Sequence, residues 1–184
     1  MNIFALDLDP RLAAQAHCDK HVVKMILETA QILSTVWHKM SEDNYHHHVP
    51  RIAYCPTHKN HPCVRWACAT SVNYTWLVTL GLSLCEEFRF RFGHDHKSEA
   101  VIRALALPPI GVPAGPLTSF ALAMPDEFRA DYYALDGNGM DRRQAAVECY
   151  REYYRCAKAH MLFYRRRQTP LWLGASRPPS IYTV

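Results

Sequence analysis

Six polar residues, His17, Lys20, His21, Lys24, Glu28 and Gln31, fall within about 60° either side of one line when the chain is wound at 100° per residue. Between Val22 and Val36 most of the other residues are apolar: Val22, Val23, Met25, Ile26, Leu27, Ala30, Ile32, Leu33 and Val36. A surface helix ordinarily shows the reverse, an apolar stripe against a wider polar remainder. The spacing therefore predicts a helix enclosed on most sides, with a narrow line of ionisable groups facing a cleft. Unpaired charges in such a place must shift their pKa or find partners. An amine nucleophile, a carboxylate and imidazole acid/base groups on one floor are the types that proton transfer and iminium or acyl chemistry need, so His17, Lys20, His21, Lys24 and Glu28 are the candidate catalytic set. The competing reading is a solvent-exposed seam on which Lys24 and Glu28 form an i,i+4 pair.

A second constellation is Thr57-His58-Lys59-Asn60-His61-Pro62-Cys63-Val64-Arg65-Trp66. A donor-rich loop leading into a helix start suits an anion, because backbone N–H groups and the helix dipole favour a phosphate there. His58, Lys59, Asn60, His61 and Arg65 are candidate phosphate or substrate ligands, joined by Asp19 from the first stripe. Asn73 could read a base edge, and Trp66 and Trp76 could stack on bases or serve as core. Cys55, His58, His61 and Cys63 are the alternative, a zinc set, although their spacing matches no common closed site. No cofactor is otherwise expected. A third polar cluster, His94-Asp95-His96-Lys97-Ser98-Glu99, either returns over the site or is a solvated corner.

The elements that must position these residues are mostly helical. Asp9-Pro10 suits the start of a helix running to Trp37 or His38, and Asn60-His61-Pro62 the start of a second ending near Phe92 at Gly93. A short helix is expected over 98–107. Pro108, Pro109, Pro113 and Pro116 with Gly111 and Gly115 make 108–118 an irregular internal loop. Gly137-Asn138-Gly139 is a turn, and Asp141-x-x-Gln144 a capping box opening a last helix to about Arg167, stopped by Thr169-Pro170. The expected fold is all-α, a compact single domain over 1–184 with three long helices, short helices and irregular loops.

At 184 residues, 49% hydrophobic and 21% charged, the chain is long and apolar enough for one real core, which excludes a disordered tail or fibrous repeat. Seven cysteines without a C-x-x-C pair read as free thiols in a reducing cytosol. With no apolar run of membrane-spanning length and no signal-like amino end, the expected location is the cytoplasm, with no membrane partner. The net charge of +4 is uneven: from Arg142 onward nine Arg and Lys face two Glu, a net +7, which leaves −3 for residues 1–141. Clustered cations on a near-neutral body suit a polyanion, so Arg151, Arg155, Lys158, Arg165, Arg166 and Arg167 are candidate DNA contacts. A solvated helix end with dipole-favoured cations is the plainer reading. His46-His47-His48 has no evident role.

The run from His17 to Glu28, the loop Thr57 to Cys63, the segment Ala123-Met124-Pro125-Asp126-Glu127 and Tyr150-Arg151-x-x-Tyr154 resemble a family of small proteins of phages and large algal viruses. That family is in turn distantly similar to the pyrimidine-dimer DNA glycosylases, compact all-α enzymes that attack the sugar C1′ with an amine. The resemblance implies duplex DNA as partner and a helix-one histidine followed by a catalytic glutamate. Aligning His21 with that histidine places Glu28 at the glutamate position; aligning the Asp-Pro start places His17 and Lys24 there instead. Those glycosylases use the α-amine exposed after Met removal, and Asn2 is a poor context for removal. The amine would then be that of Met1, Lys20 or Lys24. A phage-encoded protein would act in the bacterial host cell. A second implied activity is transfer of a free amino acid onto an activated, phosphorylated hydroxymethyl-pyrimidine in DNA hypermodification, with His17, Asp19, Lys20 and His21 binding the amino acid. A third is a DNA-binding accessory protein without chemistry.

Overall fold

A computed structural model describes residues 1–42 and 48–174. Of the His46-His47-His48 triple, His46 and His47 lie outside the described residues, as does Arg177. Among the described residues the regular structure is helical, with no strand. The helices are α1 (Pro10–Ala16), α2 (Asp19–Glu42), α3 (Pro62–Ala69), α4 (Ser71–Phe92), α5 (Glu99–Ala104), α6 (Asp126–Gly137), α7 (Arg142–Ala157) and α8 (Leu171–Gly174), with a 3₁₀ turn over Ala159–Met161. α4 is the central post, in contact with α1, α2, α3 and α5, while α6 and α7 pair with each other.

Several caps fall where side-chain chemistry puts them. Asp9 accepts from the Arg11 N–H ahead of Pro10, and His61 accepts from the Cys63 N–H ahead of Pro62. Asp141 accepts from the N–H groups of Arg143 and Gln144, and Gly93 ends α4 at φ 81°. The 108–118 stretch is irregular, with two short turns.

Four expectations need correction. The expected first helix is two, broken at His17-Cys18, because three successive carbonyls there are taken by distant groups: Gln15 and His17 by the Arg91 guanidinium and Ala16 by the Tyr164 hydroxyl. The expected second helix also breaks, at Thr70, whose extended backbone and side-chain oxygen cap α4 through the Asn73 N–H. Ser71 N–H and the Thr70 hydroxyl then bond to the carbonyls of Pro113 and Pro116 in the proline-rich loop. α6 begins after Pro125, where no helix was expected. The last long helix ends at Ala157, ten residues short of Arg167, so Arg165, Arg166 and Arg167 are not helical.

The amino-terminal segment runs through the core without regular secondary structure, with Ile3, Ala5 and Leu6 fully enclosed. His17 and His21 line the same interior. Burial lowers the pKa of His17 to about 4 and, with the positive potential of His17, Lys158 and Lys24, that of His21 to about 3. Both are neutral in the folded and the unfolded chain above pH 6.5. Below it the unfolded chain takes protons that the folded one refuses, so stability falls with pH. The expected slope approaches 1.4 kcal/mol per pH unit for each histidine down to about pH 4. Urea titrations from pH 7 to 4 will show it, and replacing His21 with Phe will flatten it; a slope unchanged in that variant would contradict the assignment.

Candidate active site

The site is assembled where the amino-terminal segment meets the middle of α2. Asn2 is buried, with its backbone nitrogen and both side-chain polar atoms held by hydrogen bonds. Its side-chain oxygen accepts from the N–H groups of Ile3 (2.8 Å) and Phe4 (3.1 Å) and from the Tyr150 hydroxyl (2.9 Å), and its amide nitrogen donates to the Ala123 carbonyl (2.6 Å). This turn forces Phe4 to φ 40°, a left-handed conformation that costs a non-glycine residue energy and persists only where surroundings impose it. The Phe4 ring stacks on His21 at 4.4 Å between centroids, and His21 in turn bonds to the Tyr154 hydroxyl.

The consequence is the placement of the Asn2 backbone nitrogen, which donates to Glu28 Oε2 at 2.8 Å. Glu28 is 8% exposed, and its other oxygen lies 3.2 Å from Lys24 Nζ, whose side chain is 67% exposed. His61, at the start of α3, feels the same charges: burial lowers its pKa, the Met1 α-ammonium and His58 lower it further, and the Glu28 carboxylate opposes them. The same α-ammonium acts on Cys63, whose thiol burial pushes up to about 12. Met1, Asn2, Lys24, Glu28 and His61 thus form one cluster. It holds amines beside an enclosed carboxylate and a neutral imidazole, a set able to pass a proton and to stabilise a developing cation.

Other candidate residues are placed elsewhere. His17 is fully enclosed between α1 and α2; it bonds to the Ala13 carbonyl through Nδ1 at 2.7 Å, and among the described residues its Nε2 meets no hydrogen-bond partner. Lys20 is exposed one turn before Lys24. The Asp19 carboxylate is occupied by the Arg91 guanidinium (3.1 Å) and the Arg165 N–H (3.0 Å). The set His17, Asp19, Lys20, His21 is therefore not gathered around a free amino-acid pocket. Asn73 is buried and bonds to the Trp66 carbonyl and to Thr118, so it is closed to bases. Trp66 and Trp76 are core, packed with Phe120. His58, Asn60 and Arg65 are exposed and Lys59 half-buried around His61, which itself occupies one N–H of the α3 start. Among the described residues no group of three or more His, Cys, Asp or Glu is arranged for a metal, so Cys55, His58, His61 and Cys63 do not assemble as a zinc set; Cys63 is buried and Cys55 exposed. In the His94–Glu99 cluster, Asp95 and Glu99 pair with Arg89 of α4, and α5, which Glu99 opens, packs against α2 and α4.

The carboxy-terminal cations are largely paired within the fold. Arg151 meets Asp7 (3.1 Å), Glu148 (2.9 Å) and the Leu6 carbonyl (2.9 Å); Arg155 meets Glu152 and Arg167 meets Glu87. Lys158 lies over the Tyr153 ring.

A family model described as pyrimidine dimer DNA glycosylase matches residues 1–100, more than half of the chain. The chain belongs to that family. No curated protein and no solved structure matches it. Membership makes this a glycosylase-like, DNA-acting protein, and no helix among its described residues is long and apolar enough to cross a membrane. For a pyrimidine dimer DNA glycosylase family member, the division of the chain is informative. The matched part carries Asn2, Lys24, Glu28 and His61, whereas Ala123, Tyr150 and Tyr154, which hold the amino-terminal segment against α2, lie beyond it. These anchors were not expected as site residues, although the Ala123–Glu127 segment and Tyr150-Arg151-x-x-Tyr154 are among the motifs that carry the resemblance, and the i,i+4 spacing of Tyr150 and Tyr154 puts both on one face of α7. Tyr150→Phe removes the hydroxyl that touches Asn2, Ala121 and Ala123. The expected result is a roughly ten-fold loss in turnover with unchanged DNA affinity and a stability loss of about 1–2 kcal/mol. Paired kcat and DNA-binding measurements check it, and equal losses in both would show Tyr150 to be purely structural.

Proposed function

We propose that the protein is a DNA glycosylase acting on a pyrimidine nucleotide, with an associated lyase step, and that an amine of the Glu28 cluster is its nucleophile. The observation that carries this reading is the 2.8 Å contact between the Asn2 nitrogen and the enclosed Glu28 carboxylate, which brings the amino-terminal segment to a buried acid in the middle of α2. The amine attacks C1′, the C1′–N bond breaks with its electrons leaving on the base, and the sugar opens to an iminium. β-Elimination of the 3′ phosphate from that iminium then cuts the strand. Glu28 takes the proton the amine gives up, hands it to the ring oxygen as the C1′–O4′ bond opens, and, ionised again, stabilises the positive charge of the iminium.

Met1 is the favoured amine. As a class, α-amines lose their proton more than about two pH units below lysine side chains, and the deprotonated form is the nucleophile. Lys24 keeps Glu28 paired and meets the DNA at the rim, and Lys20 is one turn further out. His21 and His17 act as neutral wall groups that hold Phe4 and hence Asn2. The exposed His58, Lys59, Asn60 and Arg65 supply donors for a phosphate flanking the target. The register that aligns His21 and Glu28 with the family's histidine and glutamate fits this arrangement. Duplex DNA irradiated to carry pyrimidine dimers is the test substrate. The expected result is strand cutting at dimers and not in unirradiated DNA; intact strands after prolonged incubation with excess protein would overturn the proposal.

A further inference from the structure

Residues 163–167 form a strap laid across the first turn of α2. The Asp19 N–H donates to the Phe163 carbonyl (2.8 Å), and the Arg165 N–H returns to the Asp19 carboxylate (3.0 Å). Tyr164 bonds to the Ala16 carbonyl (3.1 Å), and Arg167 pairs with Glu87. Arg166 is held at φ 58° between these anchors while one of its nitrogens reaches the Phe90 carbonyl (3.0 Å). What this well-anchored backbone presents to solvent is Phe163, 66% exposed, together with Arg165 and Arg166, both exposed. Lys20 is exposed on the helical turn beneath, and Phe90 is 46% exposed alongside. Among the described residues no side chain of Arg165, Arg166 or Lys20 meets a carboxylate within ion-pair distance, unlike those of Arg151, Arg155 and Arg167; the Arg165 guanidinium lies over the Phe92 ring.

A lone exposed apolar side chain needs no explanation. An aromatic ring on a fixed backbone, beside cations whose side chains meet no carboxylate, is a different surface. Phosphates are held by cations, and unstacked bases by aromatic faces, with little ordering cost when the ring is already in place. We infer that this strap contacts distorted or single-stranded DNA: Phe163 takes an unstacked base, and Lys20, Arg165 and Arg166 hold the neighbouring phosphates. Along α2, Lys20 is about 12 Å from Glu28. At about 3.4 Å per nucleotide, a phosphate on Lys20 lies on the order of three to four nucleotides from the nucleotide at Glu28, and the base on Phe163 neighbours that phosphate. The inference rests on the reading of the Glu28 cluster as a DNA-acting site and adds the shape of DNA that site accepts: one whose stack is opened on the strap side.

The test uses the full chain and a duplex with a central tetrahydrofuran abasic analogue, which the amine cannot cleave, and a 2-aminopurine three or four nucleotides away. The wild-type chain is expected to bind this duplex and change the 2-aminopurine fluorescence. Phe163→Ala is expected to weaken binding about ten-fold and abolish that change, with Phe163→Trp restoring both. The double variant Arg165→Gln/Arg166→Gln is expected to lower the slope of log K against log salt by about two, and Arg142→Gln, paired with Asp136 elsewhere, to leave it unchanged. Wild-type affinity and fluorescence in Phe163→Ala, an unchanged slope in the double variant, or Phe163-dependent binding to phosphatidylserine vesicles in place of DNA would each overturn the inference. Because the analogue is inert to the amine, a chain that behaves as expected here yet never cuts dimer-containing DNA would overturn the proposed chemistry and leave the strap's role standing.

Discussion

Glu28→Gln is expected to lower the rate of glycosidic cleavage by roughly 10³-fold while leaving the fold and DNA affinity near wild type. The amide retains the shape of the carboxylate and an oxygen for the Asn2 N–H, so the 2.8 Å contact survives. What disappears is the negative charge, and with it the group that accepts the amine's proton and faces the opening sugar. Glu28 is enclosed, where a fixed charge acts more strongly than it would in water, so the kinetic loss is large. The folding cost is small because its charged partner, Lys24, is mostly solvated. Single-turnover rates on a dimer-containing duplex measure it. Cleavage within ten-fold of wild type would remove Glu28 from the chemistry.

Arg91→Ala is expected to destabilise the protein by about 3–5 kcal/mol, on the order of 10 °C in Tm. Arg91 is 1% exposed, and its guanidinium meets Glu87 (3.0 Å), Asp19 (3.1 Å) and the carbonyls of His17 (2.8 Å) and Gln15 (3.0 Å). Removing it leaves the Asp19 carboxylate without its counter-charge, Glu87 with Arg167 alone, and two carbonyls without donors. Urea denaturation at pH 7 measures the loss, and Arg143→Ala, an exposed pair with Asp141, serves as a comparison expected within about 0.5 kcal/mol of wild type. A loss below about 1 kcal/mol in Arg91→Ala would mean that the network holds nothing together.

That network also explains what the sequence could and could not reveal. Helix starts at Pro10, Pro62 and Arg142 and the stop at Gly93 were legible because a neighbouring residue supplies each cap. The break at His17-Cys18 was not, because Arg91 and Tyr164, 74 and 148 residues away from their carbonyl partners, produce it. The end of α7 was overrun for the same kind of reason. No glycine or proline lies between Ala157 and Pro170, and the chain leaves the helix to form the strap on α2. The polar line on α2 was legible as a line but not by depth: Lys20 and Lys24 are solvated, while Glu28 and His21 are enclosed. The +7 of the carboxy-terminal part was legible as a sum, yet its ion pairs depend on Asp7, Glu87 and Asp136, which only the fold brings near. Asn2 carried no recognisable signal, since its importance lies in five hydrogen bonds that no local pattern announces.

The most direct test of the amine-and-Glu28 account is reductive trapping. The protein is mixed with a duplex carrying one pyrimidine dimer in the presence of borohydride, and the adduct is mapped by mass spectrometry of its peptides. The account predicts one covalent protein–DNA species, attached through the amino-terminal peptide that begins at Met1 and lost in Glu28→Gln. Absence of any adduct under conditions in which the duplex is bound, or an adduct on a lysine remote from Glu28, would contradict it.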